Sequence, residues 1–469
     1  MYSPFEKDLA SITADDLAVL RNVSEGWFVE YKELLPSPKD IAKSVAAFAN
    51  HQGGWFFVGV QESGDGRRTA AAFPGLDADA ITGSIDRIRD AVRAHTDPIP
   101  HFESRVVSGP SADAAVAASK AIIIVRIRSG GNPPYIHSSG RIYRRVADSS
   151  EPKVETDRAV IDLLLDRSRQ SRKQLDSFLT AEHSLSKAES NSSFLRLFFM
   201  QDPFGDRGDR VGVTFEEFAD LARSPSSSPI GLVFDNVFTM SAGFVARHVG
   251  QNDPQYRLLT WEFNANGTSI FTVPLALGDP RRNSRFKFAK DFVLGLGNLR
   301  AENIVDANQF LVMLSALYGM HLAAIKKAGI AGPVLSKARL LNVRRKIPFF
   351  DSEVFLLHVR KYGVPLCQED SALTPPGTAP ESLLELDVQK PSHGCDLDGL
   401  VGLFVTVSTL FVSIMEALGI PREVLFHSSS DLYAAKIRTK ISSPRPDGSG
   451  QRFLGSPCYL RLNPEKHLC

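Results

Sequence analysis

A chain of 469 residues is long enough to bury more than one core, and two or three domains are expected. Its formal net charge of +1 excludes a globally basic nucleic-acid binder, so any such role needs a local patch. The four cysteines, Cys367, Cys395, Cys458 and Cys469, include no C-x-x-C pair; with no secretory signal at the N-terminus, they predict a reducing, cytoplasmic setting.

Thr13–Asp16 is expected to open a short N-terminal helix. An extended segment follows, with Trp27, Val29 and Tyr31 on one face and Phe28, Glu30 and Lys32 on the other. Ser37 caps a predicted helix with Pro38 in its first turn, and Ile41, Val45, Phe48 and Ala49 form its buried side. Asn50 and Gly53-Gly54 end it, and Trp55–Val60 reads as a strand inside a sheet. No G-x-x-x-x-G-K-[ST] occurs, which argues against an ATP-binding P-loop. Ala78–Ala94 has the spacing of an amphipathic helix; Ser104–Val107, Ala121–Arg128 and Gly140–Val146 read as strands.

Glu155–Leu179 reads as a charged helix, and Phe194–Phe199 opens a second region. Thr214-Phe-Glu-Glu217 is a capping box, and Tyr256–Val273 a hairpin turning at Asn264–Gly267. Ala307–Ala328 is predicted as a long apolar helix, Val354–Val359 as a strand, and Leu373–Pro380 as a Pro-rich linker. Gly399–Met415 lacks charge but falls short of the ~20 residues of a membrane span, so a buried helix is expected and no membrane association. His393 and Cys395 do not complete a zinc set. No internal repeat is visible.

Glu30, Lys32, Ala47-Phe48-Ala49-Asn50, Gly53-Gly54, Gly59-Val60 and the strand Gly140, Tyr143, Arg145 together resemble the Schlafen-type AlbA domain. The resemblance implies an α/β (α+β) domain over residues 16–150, associated with nucleic-acid binding and, in some members, with metal-dependent RNA cleavage. Residues 151–190 are then a helical connector, and residues 191–469 a mixed α/β region with a split near 330–375. Nuclease members carry two glutamates five residues apart before the Lys and a third acidic residue after the buried strand. Glu25, Glu30 and Lys32 match that pattern; Glu62 stands where Asp is more usual.

Three converging carboxylates, Glu25, Glu30 and Glu62, would suit Mg²⁺ or Mn²⁺, with Lys32 as a point charge for the scissile phosphate. Asp40 or Asp65 could replace one of them. The alternative is a binding domain in which these glutamates are solvated and Glu30 pairs with Lys32. Arg141, Arg144 and Arg145 make a basic strand beside Tyr143, and these, with Arg281, Arg282 and Lys287 further on, are candidate RNA contacts, since Arg forks phosphate and Tyr stacks on bases. Each cluster is equally a charged edge or a solvated helix face. His51 is expected at a turn, facing solvent. The expected function is a metal-dependent endoribonuclease acting on structured, tRNA-like RNA, in a defence or toxin setting, or a non-catalytic nucleic-acid binder on the same fold. The nuclease members use two lobes and one is visible here, so a homodimer is expected.

Overall fold

The computed structural model describes residues 2–7, 9–146, 151–182, 185–187, 189–190, 192–204, 212–224, 234–248, 258–275, 286–295, 304–308, 310–328, 330, 334–386 and 396–426. They fall into two compact units: Met1–Phe178 with two short later segments, and most of the remainder. Both mix helix and sheet, as expected from the sequence.

In the first unit the elements run β1 (Val29–Lys32), α1 (Pro38–Asn50), β2 (Gly53–Val58), β3 (Gln61–Glu62), β4 (Ala70–Ala72), β5 (Leu76–Asp77), α2 (Ile81–His95), β6 (Thr96–Asp97), β7 (Phe102–Ser108), β8 (Lys120–Arg128), β9 (Ile136–His137), β10 (Arg141–Arg144), β11 (Lys153–Val154) and α3 (Arg158–Thr180). β8 pairs antiparallel with β7 along one side and with β2 and then β5 along the other. β1 lies parallel to β2 at the sheet's edge, with Glu30 opposite Phe56.

Both faces of this sheet are covered, which is why β2 and the Ala121–Val125 run of β8 are apolar and buried. Val29, Tyr31, Trp55, Phe57, Ile122 and Ile124 face the N-terminal segment, packing with Ile12, Leu17 and Leu20. Phe56, Val58, Ile123, Val125 and Ile127 face α1 and α2, meeting Ile41, Val45, Phe48, Ile88 and Val92. The period-2 alternation of β1 therefore sends Glu30 and Lys32 to the helix side. Ser37 caps α1 by accepting from the Asp40 N–H. The Gly53-Gly54 turn is steric in origin: Gly53 sits at φ +78°, and a Cβ on Gly54 would strike the Phe48 ring. Asn50, at the end of α1, donates to the carbonyls of Tyr135 and Tyr143 and accepts from the Tyr135 N–H, tying the helix to the β9–β10 edge.

In the second unit the elements are β12 (Phe194–Met200), α4 (Phe215–Arg223), β13 (Asn236–Met240), β14 (Gly243–Arg247), β15 (Thr260–Asn264), β16 (Ser269–Pro274), α5 (Ala289–Gly295), β17 (Ile304–Asp306), α6 (Phe310–Lys327), β18 (Val334–Leu341), β19 (Ile347–Phe349), α7 (Glu353–Tyr362), β20 (Ser371–Thr374), β21 (Leu384–Leu386), α8 (Asp396–Ala417) and α9 (Arg422–Phe426). Its main sheet runs β13-β14-β15-β16-β12-β18-β20, with β21 also on β18. The Thr214 capping box and the hairpin turning at Asn264–Gly267 form as expected.

Two expectations change. Val354–Val359 is helical, because Ser352 accepts from the Phe355 N–H and caps α7, whose buried residues include Phe355 and Leu356. Leu373 lies in β20, paired with Arg339 of β18, so the Pro-rich stretch begins only after a strand. Gly399–Met415 lies within α8, and Leu410, Phe411, Ile414 and Met415 are buried. Among the described residues, α6 alone is long and apolar enough to cross a membrane by length and composition; most of it is buried inside the second unit.

Candidate functional site

Where β1 meets α1, the helix-side face of the sheet carries a buried charge network. Glu30 is 2 % exposed and Arg145 0 %. The Arg145 guanidinium donates to Glu30 Oε2 at 3.0 Å, and Ser44 Oγ, from α1, donates to Glu30 Oε1 at 2.9 Å. Lys32 Nζ lies 3.1 Å from Glu30 Oε1 and 3.8 Å from Glu25 Oε1. Arg145 also donates to the Gly26 carbonyl at 2.9 Å and stacks its guanidinium 4.8 Å from the Phe48 ring centre. A buried ion pair is retained only when the remaining lone pairs and protons find partners, and Glu30 meets that condition on both oxygens.

Glu25 differs. Its Oε1 accepts from the Tyr31 N–H at 3.0 Å, but its buried Oε2 has no partner. Burial pushes its carboxyl up to about 7, against the pull of Lys32 and the Tyr31 N–H, with Glu30 and Glu62 adding repulsion. Glu62 is exposed on β3, near enough to act on the Glu25 charge. Burial opposes the charge on Lys32, and Glu30 and Glu25 outweigh it, so its ammonium is held above the ordinary value.

The three glutamates expected to bind metal are therefore neighbours in different states. Among the described residues, no group of three His, Cys, Asp or Glu side chains is placed to hold a metal ion. Glu25 offers one unshared oxygen and Glu62 an exposed carboxylate, while both Glu30 oxygens are taken. As arranged, the residues do not fit a three-carboxylate cage for Mg²⁺ or Mn²⁺.

The basic strand is also divided. Arg145, expected on RNA, is sealed inside the domain. Tyr143 is buried too, with Lys43 Nζ 5.5 Å from its ring centre and the His137 ring nearly perpendicular to it, so it is not open to a base. Arg144 remains part-exposed and pairs with Glu155 at 2.6 Å. Around it lie Arg141, already part of the basic strand in the sequence, and two cations that sequence reasoning passed over, Lys39 and Lys153. His137 Nε2 meets the Lys39 carbonyl, Arg141 pairs in register with His137, and Lys153 with Arg144. Lys39, Arg141 and Lys153 are exposed. The alternation of β10 puts Arg141 on the Tyr143 side, with His137 and the start of α1, and Arg144 with Lys153 on the other side of the same edge.

His51 is half-buried rather than solvent-facing. Its ring sits 5.6 Å from Trp27 and 6.1 Å from Phe28, and its buried Nδ1 has no partner. Burial, then the charges of Arg144, Arg167 and Arg145, lower its pKa, which keeps the ring neutral. Trp27, expected on the buried face, is exposed because the strand begins only at Val29. Arg281 and Arg282 lie outside the described residues. Lys287 belongs to the second unit, its Nζ 4.9 Å from the Phe288 ring centre. Arg339 spends its guanidinium on the Leu179 and Ala181 carbonyls and on Ser371, a structural use.

The first domain is of the Schlafen AlbA_2 type: residues 25–154 match that family model. The match supports nucleic-acid binding by this AlbA domain. No curated protein matches the chain. Among solved structures, the DIP2311 protein from Corynebacterium diphtheriae is 15 % identical, with 34 % of this chain and 36 % of that one covered, at a TM-score of 0.21. The N-terminal domain of a RecG-related protein from Nitrosomonas europaea is 22 % identical, with 31 % of this chain and 97 % of that one covered, also at 0.21. The chain thus spans about a third of the length of the first of these.

Proposed function

We propose that the AlbA domain is an RNA-binding module that takes structured, tRNA-like RNA along the edge formed by the start of α1 and strands β9–β11. The observation that carries this reading is the cation set there. Lys39, Arg141 and Lys153 are exposed and make no ion pair among the described residues, beside the part-exposed Arg144. Phosphate contacts supply most of the affinity of such binding and release counterions. Three contacts imply a slope of log affinity against log salt of roughly −2. Replacing Lys39, Arg141 and Lys153 together by Glu should flatten that slope and weaken tRNA binding at least about tenfold, read by filter binding across a salt series. An unchanged slope would remove this edge from the interface. A second copy of the chain would supply the second lobe by symmetry, and sedimentation with and without RNA tests for that dimer.

A second reading, divalent-metal-dependent cleavage of the bound RNA, is favoured by one observation: the buried, unshared oxygen of Glu25. It requires Glu30 to exchange Arg145 for a metal. Incubating the protein with total RNA in Mn²⁺ and in chelator tests it. Cleavage in Mn²⁺ that chelator stops and Glu25→Gln abolishes would support this reading; intact RNA in both conditions would leave a binding module.

A further inference from the structure

Of the three tryptophans in the chain, Trp55 is 2 % exposed, Trp261 0 %, and Trp27 45 %. The backbone that displays Trp27 is fixed from several sides. The Gly26 N–H donates to the Val29 carbonyl at 2.9 Å, closing a tight loop around residues 27 and 28. Arg145 donates to the carbonyls at both ends of that loop, Gly26 at 2.9 Å and Val29 at 3.4 Å. The Phe28 carbonyl accepts from the Trp55 N–H at 2.7 Å. The buried arginine that neutralises Glu30 is thus also the clamp of an exposed indole.

The surroundings of the ring are aromatic and cationic. Trp27 meets Phe28 edge-on with centroids 6.2 Å apart and His51 at 61°, leaving nearly half of its surface to solvent. Arg167 donates to the His51 carbonyl at 2.9 Å, and the part-exposed Arg144 acts on the His51 ring. A rigid, exposed aromatic side chain within a positive field is what an unpaired base and its phosphate require. The indole loses little conformational entropy on stacking, and the arginines attract the anion.

We infer that Trp27 is a stacking platform for an unpaired base of the bound RNA, with Arg144 supplying the charge for the adjoining phosphate. This deepens the RNA-binding reading and rests on it. It assigns single-stranded segments of a structured RNA to the loop before β1, and the backbone of its helical parts to the edge that carries Lys39, Arg141 and Lys153.

Because Trp55 and Trp261 are buried, tryptophan emission quenched by a solute reports Trp27. The full chain is titrated with a short oligoadenylate and, separately, with a blunt RNA duplex of the same length. The oligoadenylate is expected to quench the emission on binding. Trp27→Ala should weaken its affinity about ten- to a hundredfold, the equivalent of one stacked base, while Trp27→Phe keeps most of it. Duplex affinity should stay within about twofold in both variants. Since the ring is exposed, the thermal midpoint of Trp27→Ala should match the parent, which separates lost stacking from lost folding. Oligoadenylate binding without quenching, or a Trp27→Ala variant that binds it as tightly as the parent, would overturn the stacking site alone. A parent protein that binds neither RNA would overturn the RNA-binding reading and the stacking site with it.

Discussion

Each unit buries a polar network against its sheet, and the two networks handle burial in opposite ways. In the first unit the network is ionic: Glu30 and Arg145 are both sealed, with Lys32 and Glu25 at their side. In the second unit it is neutral. His321, fully buried between α6 and β16, has Nδ1 2.9 Å from Ser269 Oγ and Nε2 2.9 Å from the Gln201 amide nitrogen. Trp261 Nε1 donates to the same Ser269 hydroxyl. A Gln201 amide that donates to Nε2 requires the hydrogen of His321 on Nδ1, toward Ser269, and leaves the buried Gln201 Oε1 without a partner. Burial lowers the pKa of His321 to about 3, so the ring carries no charge near neutrality. A charge removed from water needs an opposite charge and complete hydrogen bonding, whereas a neutral group needs only the hydrogen bonds. The neutral network serves packing. The ionic one organises a surface, because its arginine also holds the loop that carries Trp27, and it leaves Glu25 incompletely satisfied.

The largest expected effect tests the ionic side. Arg145→Ala removes the buried counter-ion of Glu30 Oε2, leaving Lys32 and Ser44 on Oε1 alone, and should cost about 3–5 kcal/mol, read as a lower urea midpoint for the first unit. The double variant Glu30→Met with Arg145→Met should recover most of that loss, since removing both charges removes the desolvation cost too. A single variant as stable as the parent would mean that the pair does not organise the domain.

Next in size is a pH effect at Glu25. Its folded carboxyl titrates at about 7, above its ordinary value of 4.5. Between those values the unfolded chain releases a proton that the native state keeps. Stability should therefore fall as pH rises from about 4.5 to about 7, by about 3 kcal/mol in total, and level off above. Comparing urea midpoints of the parent and Glu25→Gln at about pH 5 and about pH 8 isolates this contribution: the variant should lack the decline. Equal declines in both would place the titration elsewhere.

The smallest effect belongs to the neutral network. Ser269→Ala leaves His321 Nδ1 and Trp261 Nε1 without their shared partner and should cost about 1–3 kcal/mol. The contribution of neutral His321 runs opposite to that of Glu25. Its folded pKa is depressed below the ordinary 6.5, so stability is present above that value and lost as pH falls toward about 3. Thermal midpoints of the parent and Ser269→Ala at about pH 7 measure the first quantity, and a His321→Gln variant at about pH 7 and about pH 5, which should lack the decline that the parent takes from His321, measures the second. A neutral-pH loss above that of Arg145→Ala would reverse the ranking of the two networks.

Much of the local structure is legible in the chain itself. Ser37 and Pro38 open α1, the Thr214 capping box opens α4, and the alternation in β1 puts Glu30 and Lys32 on one side. These signals act within one or two turns of chain, where capping, φ preference and side-chain period decide the outcome. Val354–Val359 misled because an apolar run of that length suits strand and helix alike; the cap at Ser352 settles it.

Local pattern was enough for the elements of the AlbA domain, the glycine turn behind α1 and the nearness of Glu25, Glu30 and Lys32, since all of these depend on neighbours in the chain. What the charges do was left to long-range packing. Arg145 reaches Glu30 across 115 positions, turning an expected RNA contact into a buried counter-ion and an expected metal ligand into its partner. The same folding set the start of α1 against the β9–β11 edge that carries Arg141 and Lys153, and exposed Trp27. Burial and pairing depend on which distant segments pack together, and a buried charge takes whichever opposite charge the fold brings to it.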